Sequence, residues 1–271
     1  MKIAIVGGGS LTWTPELVTD LALTPEIHGA TLALQDINAE SLERMLALSR
    51  LICQQAGGEI RVEATLEREV ALRDADYVIF SVAIGGLQGV RADLEIPARY
   101  GIRLPVGMNV GPAGINRALS HIPATIELCR QMEAWCPDAW LLNLTNPMTQ
   151  LCRAAVRETG VRTIGLCHGV QGGHQQIANV IELLVNDAKE PDSPGYKKVT
   201  TRDVDIICAG INHQTWYIQV RYEGQDWTGR LLEGFERHPV YSRTEKVRID
   251  MLRRFGYYST ESNGHLSEYL P

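Results

Sequence analysis

Three groups of residues have types and spacing that could do chemistry. The first is Gly7-Gly8-Gly9-Ser10-Leu11-Thr12, directly after the short run Lys2-Ile3-Ala4-Ile5-Val6. A strand ending in glycines lets backbone N–H groups close on a pyrophosphate at the N-terminus of the next helix. Thr12 stands where the usual third glycine would fall, so the motif alone also fits a plain strand-to-helix turn. Asp36 ends a second apolar run. An acid there accepts hydrogen bonds from ribose and repels the 2′-phosphate of NADP, which favours NAD. Gly7, Gly8, Gly9, Ser10, Leu11 and Asp36 are therefore expected at a dinucleotide, with Ile84 and Gly85 from the loop after a later strand.

The second group is Asn143-Leu144-Thr145-Asn146-Pro147. A carboxamide offers both donor and acceptor, which suits a sugar hydroxyl, although Asn before Pro is equally a common turn. The third group is Gly165-Leu166-Cys167-His168-Gly169 together with Gly210-Ile211-Asn212-His213. A thiolate and an imidazole brought together suit a borderline divalent ion. No spacing rule joins residues so far apart, and a packed thiol with a surface imidazole is the commoner reading. The stretch from Phe255 to Tyr269 is dense in Tyr, Glu and His, all able to move protons. It reads equally well as a polar loop with packed aromatics.

These groups need a frame. Strand signals at 2–6, 31–36, 60–64, 76–81, 139–144 and 162–166 alternate with helical signals at 15–23, 39–56, 67–72, 118–134 and 149–159. That rhythm predicts βαβ units and a Rossmann-type, doubly wound parallel sheet over 1–166, followed by part of an α+β substrate domain over 167–271. In the second part, 186–200 reads as a polar loop. Strands are expected at 203–210 and 215–222, with a turn at Glu223–Asp226 and a helix at 244–255.

Composition narrows the class. The 271 residues are 45% hydrophobic and 21% charged, which is ordinary for a globular chain. A net charge of −6 argues against a nucleic-acid binder. No apolar run is long enough to span a membrane, and the N-terminus lacks a signal-peptide core, so a cytoplasmic chain is expected. The six cysteines, with no Cys-x-x-Cys pair, read as thiols.

The motifs taken in order resemble glycoside hydrolase family 4, the NAD- and divalent-metal-dependent glycosidases. The matching segments are Gly7–Ser10, Leu34–Ile37, Asn109-Val110-Gly111-Pro112, Thr145-Asn146-Pro147, Gly165–Gly169, Gly210–His213 and Phe255–Pro271. Members of the family are longer than this chain, so the resemblance implies a chain without its C-terminal part. It implies NAD and Mn²⁺, or another divalent metal, as cofactors. Cys167 and His213 match the metal ligands, and Asn146 and Asn109 match substrate-binding positions. His168, in the position that varies with substrate class, is expected to bind substrate and assist departure at C1. Tyr258, or else Tyr257, matches the region that supplies a base.

The Cys167-His168 pair resembles the branch acting on non-phosphorylated α-galactosides, α-glucosides and α-uronides. Cys-His-Gly leans toward uronides and glucosides, whereas the 255–265 segment resembles the α-galactosidase pattern. The implied reaction runs through oxidation at C3 by NAD, metal-assisted deprotonation at C2, elimination at C1, water addition and re-reduction. The partners implied are a small sugar glycoside and further copies of the chain, as a dimer or tetramer. Two other readings share the fold: a net NAD-dependent dehydrogenase of the lactate or malate type, and a non-catalytic NAD-binding remnant.

Overall fold

The structure is a computed structural model that describes residues 1–187, 189–191 and 193–270. The chain divides into two compact units: Met1–Ile96 with Pro112–Leu166, and Pro97–Gly111 with Cys167–Pro271.

The first unit carries β1 (Lys2–Val6), α1 (Trp13–Ala22), β2 (Thr31–Gln35), α2 (Ala39–Ala56), β3 (Arg61–Thr65), α3 (Arg68–Leu72), β4 (Tyr77–Phe80), most of α4 (Gly86–Ala98), nearly all of α5 (Gly111–Trp135), β5 (Trp140–Asn143), α6 (Met148–Glu158) and β6 (Arg162–Gly165). The strands form one parallel sheet in the order β3-β2-β1-β4-β5-β6. This is the doubly wound order expected of the sequence.

Successive side chains of a strand point to opposite faces. Ile3 and Ile5 accordingly join one core with Val18, Leu32, Leu34 and Met45, while Ala4 and Val6 join another with Val78, Leu128, Met132 and Leu141. Both faces are covered, which is why β1 reads as a continuous apolar run and not as an alternating one. Helix α2 starts where the Asn38 side chain accepts from Ser41 N, and its buried residues Leu42, Met45, Ser49 and Cys53 recur at helical spacing.

The second unit carries α7 (Gly169–Asn186), β7 (Val204–Ile211), β8 (Gln214–Tyr222), β9 (Gln225–Asp226), α8 (Leu231–Arg237), α9 (Tyr241–Thr244), α10 (Lys246–Phe255), β10 (Tyr258–Ser259) and α11 (Asn263–Ser267). Its sheet is antiparallel, in the order β10-β8-β7 with β9 beside β8. One core, including Val180, Ile181, Tyr217, Phe235, Leu252 and Tyr258, binds sheet to helices.

Most expected elements lie within a residue or two of their observed bounds. Helix α5 instead begins at Gly111, seven residues before 118, and α4, α7, α8, α9, β10 and α11 lie outside the expected elements. Helices α4 and α7 give no clear signal in the sequence, because Gly86, Gly89 and Pro97 sit in one and Gly169, Gly172 and Gly173 open the other. Packing of Ile177, Val180, Ile181 and Leu184 outweighs poor propensity in α7. The expected turn at 223–226 is tighter: Glu223 and Gly224 alone turn, both at positive φ, and Gln225–Asp226 already pair with β8. Of the expected loop 186–200, Ala188 and Asp192 lie outside the described residues, as does Pro271 at the end of the matched C-terminal stretch. No helix of the described residues is long and apolar enough to cross a membrane.

Candidate functional site

In the first unit the glycine turn follows β1. Gly7 and Gly8 donate their N–H groups to Gln35 O at 2.9 and 2.8 Å. Gly7 has φ +95°, and a Cβ there would lie 1.9 Å from Ser81 O, so only glycine fits between β1 and β4. Thr14 Oγ1 donates to Gly8 O at 3.0 Å, and Ser10 Oγ accepts from Trp13 N at 3.1 Å, fixing the turn on α1. Asp36 Oδ2 accepts from Gly9 N at 2.9 Å, and Oδ1 accepts from Asn38 N at 3.0 Å. A carboxylate has about four acceptor positions, so two remain for ribose hydroxyls. Leu11 is exposed beside the turn. The chain therefore offers a dinucleotide the acid and the close backbone approach that it needs.

The loops after β4 and β5 are tied together. Thr145 Oγ1 accepts from Val82 N at 2.9 Å. His121 Nε2 accepts from Ile84 N at 3.1 Å, while its Nδ1 sits 2.9 Å from Arg117 O. Arg117 Nε donates to Asn146 O at 3.2 Å, and its Nη1 lies 3.7 Å from Asp93 Oδ2, Arg117 and Asp93 both being buried. Burial, followed by the Arg117 charge, pushes the His121 pKa down. The imidazole is thus neutral, with its proton on Nδ1. Two expected site residues, Ile84 and Asn146, hang from this one buried group of Asp93, Arg117 and His121. The Asn146–Pro147 peptide is cis.

In the second unit, Cys167 precedes α7. Asn212 and His213 form the two-residue tip of the β7–β8 hairpin, since Ile211 pairs with Gln214. Glu261 follows β10. One donor atom each from Cys167, His213 and Glu261 lies within 4.8 Å of the others. His213 Nε2 is 3.9 Å from Glu261 Oε2. His213 is 3% exposed, and its buried Nδ1 has no hydrogen-bond partner. Burial, with the charges of His265 and His168, pulls its pKa down to about 4, so it presents the neutral ring a metal requires. Burial pushes the Cys167 thiol up, against hydrogen bonds from Gly169 and Asn212 that favour the thiolate. A half-buried thiol, a neutral imidazole with an orphaned nitrogen and a buried carboxylate form a donor set suited to a divalent ion.

Cys167 and His213, expected together from the sequence, lie close to each other, and exposed His168 lies near enough to weigh electrostatically on His213 and His265. The sequence reading does not single out Glu261, whose carboxylate lies beside Cys167 and His213. It also misses His265, whose ring stacks on His213 with centroids 4.3 Å apart, and Tyr269, which feels the Glu261 charge. Their one signal in the sequence was the density of Glu, His and Tyr between 255 and 269. Asn109 is buried in the segment Pro97–Gly111, where Val106 and Gly107 donate to Glu268 Oε1 at 2.8 and 2.7 Å.

Tyr258 does not fit the expected role of base. It is fully buried, stacks on Phe235 with centroids 3.9 Å apart, and donates its hydroxyl to Gln176 Oε1 at 2.8 Å. Burial holds its pKa well above that of ordinary tyrosine. Tyr257 is 44% exposed.

A doubly wound sheet with a glycine turn answered by an acid at the end of β2, plus a unit bearing a thiol–imidazole–carboxylate cluster, defines an α/β chain of dinucleotide-binding architecture. The chain belongs to glycosyl hydrolase family 4. The family model matches residues 2–183, and the model of the family's C-terminal domain matches residues 208–271. An α-galactosidase of Rhizobium meliloti is 41% identical over the whole chain, which spans 52% of that relative's length. An α-galacturonidase of Bacillus subtilis is 31% identical, again over the whole chain and 61% of the relative. The structure of the 6-phospho-beta glucosidase from Thermotoga maritima with manganese, NAD⁺ and glucose-6-phosphate superposes at a TM-score of 0.78. It is 25% identical, covering all of this chain and 59% of that one. The chain thus spans between half and two thirds of the length of these three proteins.

Proposed function

We propose that this chain serves NAD- and divalent-metal-dependent hydrolysis of a non-phosphorylated α-glycoside, with an α-galactoside as first choice over an α-uronide or α-glucoside. The carrying observation is the Cys167–His213–Glu261 cluster with the orphaned Nδ1 of His213. The 41% identity to an α-galactosidase supports the sugar, as does the 255–265 segment. Manganese and NAD⁺ in the T. maritima structure support the cofactors. We assign 1–166 to dinucleotide binding, apart from the segment Pro97–Gly111 that belongs to the second unit, and 167–271 to metal and substrate.

When bound, the dinucleotide would supply reversible hydride transfer and the metal would polarise sugar oxygens. The protein's part is position and protons. Gly7, Gly8 and Gly9, whose N–H groups are bonded within the turn, let the pyrophosphate approach closely, Ser10 and Leu11 lead into α1 beside it, Asp36 holds ribose, and Ile84 and Gly85 shape the adjoining loop. Cys167 and His213 hold the metal. Asn146 and Asn109 grip sugar hydroxyls through their carboxamides. Exposed His168 donates a proton to the group leaving C1.

The base that takes the C2 proton is better placed at Tyr269 than at Tyr258, because Tyr269 lies within the electrostatic reach of Glu261 and is only half-buried. Burial and the charges of Glu268 and Glu261 raise its pKa, and a cation nearby would act in the opposite direction. Tyr257 is the alternative.

A panel of p-nitrophenyl glycosides, assayed with NAD⁺, Mn²⁺ and a thiol reductant, tests the reading. Release of p-nitrophenol from an α-glycoside, without growth of NADH absorbance and lost on chelation, is expected. Stoichiometric NADH would mean a net dehydrogenase, and full activity after exhaustive chelation would remove the metal.

A further inference from the structure

Beside the two residues that the sequence offers for a metal lies a buried carboxylate with one oxygen turned to His213. Glu261 is 5% exposed. Among the described residues its one ion-pair contact is His213, and at 3.9 Å that is too long for a hydrogen bond. The Thr260 hydroxyl and the charges of Arg248 and His168 offset part of the cost of burying this carboxylate, and a cation between it and the imidazole would offset more.

The two oxygens of Glu261 have different surroundings. Oε1 lies 3.2 Å from Thr260 Oγ1, which can donate to it, and lies against Gly169, where a Cβ would come within 2.8 Å of it. Oε2 points to His213. The backbone that carries Glu261 is anchored on both sides. Arg248 donates to Ser259 O at 2.6 and 3.2 Å, and Thr260 N donates to Thr215 O at 3.0 Å. The carboxylate is held by one oxygen and presents the other to the cluster.

We infer that Glu261 is a third protein ligand of the divalent ion, binding through Oε2, and that Gly169 is glycine because the carboxylate needs the space. The inference rests on the metal-dependent reading above. The chemistry gives it a consequence of its own. Thiolate and imidazole favour softer ions such as Zn²⁺, whereas a carboxylate oxygen favours hard Mn²⁺. Glu261 therefore sets which metal the site prefers, as well as how tightly it binds.

The test is direct binding to the full chain, without sugar or dinucleotide. Mn²⁺ is followed by the electron paramagnetic resonance signal of the free ion, and Zn²⁺ by competition with a chromophoric chelator. Glu261→Gln keeps the shape and is expected to weaken Mn²⁺ by about tenfold or more, with a smaller loss for Zn²⁺. Gly169→Ala retains the charge but crowds Oε1, and is expected to weaken Mn²⁺ as well. Cys167→Ser should weaken both ions. If Glu261→Gln binds Mn²⁺ like the unmutated chain while Cys167→Ser does not, Glu261 is no ligand and the metal reading survives. If the unmutated chain binds neither ion, that reading and this inference fall together. Should Glu261→Gln not fold by circular dichroism, Gly169→Ala decides: unchanged Mn²⁺ affinity in the folded variant overturns the assignment.

Discussion

The guanidinium carbon of Arg248 lies 4.1 Å from the ring centroid of Tyr258, with both residues buried in the second unit. Arg248 also donates to Gln176 Oε1 at 2.6 Å, the same atom that accepts the Tyr258 hydroxyl. The pair joins α7, α10 and β10. Tyr258 is therefore part of the core of the second unit. Tyr258→Phe is expected to cost about 1 kcal/mol, one hydrogen bond, and to leave turnover nearly unchanged. Tyr258→Ala should cost about 3–5 kcal/mol through the cavity it opens against Phe235 and Tyr217. Urea unfolding checks both. A large loss of turnover in a stably folded Tyr258→Phe would return this residue to the reaction.

The bond between Asp36 and Gly9 N makes a prediction about the dinucleotide. Asp36→Ala removes a ribose acceptor and two charge-assisted bonds that shape the turn. NAD⁺ affinity should fall about tenfold or more, and the preference over NADP⁺ should narrow. Fluorescence titration with the reduced cofactors measures the ratio. Equal affinities in the unmutated chain would remove Asp36 as the discriminating residue.

His121 gives a pH dependence. Its Nε2 accepts from Ile84 N, so protonation there would set a donor against a donor, next to Arg117. Its native pKa lies below the unfolded value, so the folded chain binds fewer protons than the unfolded one. The stability it contributes is present above about pH 6.5 and is lost as pH falls from there through the depressed native pKa. His121→Gln offers an acceptor that does not titrate. Its unfolding free energy should fall less steeply than that of the unmutated chain between about pH 6.5 and 5. Identical slopes would show that other groups carry the acid sensitivity.

The sheet of the first unit was legible because each strand is a short, dense apolar run and each turn is punctuated. Ile3–Val6 alone carries the two-sided burial of a central parallel strand. Helices α4 and α7 were not legible, since their glycines lower local propensity and packing restores what propensity lacks. The Cys167–His213–Glu261 cluster was half legible. Cys167 and His213 came from motifs, but Glu261 and His265 reach them only through pairing of β10 with β8 and the hairpin tip at 212–213. That pairing sets Tyr258 opposite Tyr217, facing the core. No feature of the string Phe255-Gly256-Tyr257-Tyr258 says which tyrosine turns inward.

The choice of base is open to a direct test with a substrate deuterated at C2. A side-chain base can take that proton only after C3 has been oxidised, because an ordinary sugar C2–H is far too weakly acidic. Hydrolysis by direct displacement at C1 would leave the C–D bond untouched. Under the proposed route, sugar released in light water should carry solvent hydrogen at C2, and the exchange should need both NAD⁺ and the metal. Tyr269→Phe should suppress exchange by about 10²–10⁴-fold, the usual cost of losing a general base. Tyr258→Phe, a change in the core of the second unit, should exchange normally. Mass spectrometry of the released sugar reads each case. Suppression in Tyr257→Phe but not in Tyr269→Phe would move the role to the exposed tyrosine and keep the route. Retention of deuterium during rapid hydrolysis by the unmutated protein would exclude C2 deprotonation altogether, and with it the need for any tyrosine base.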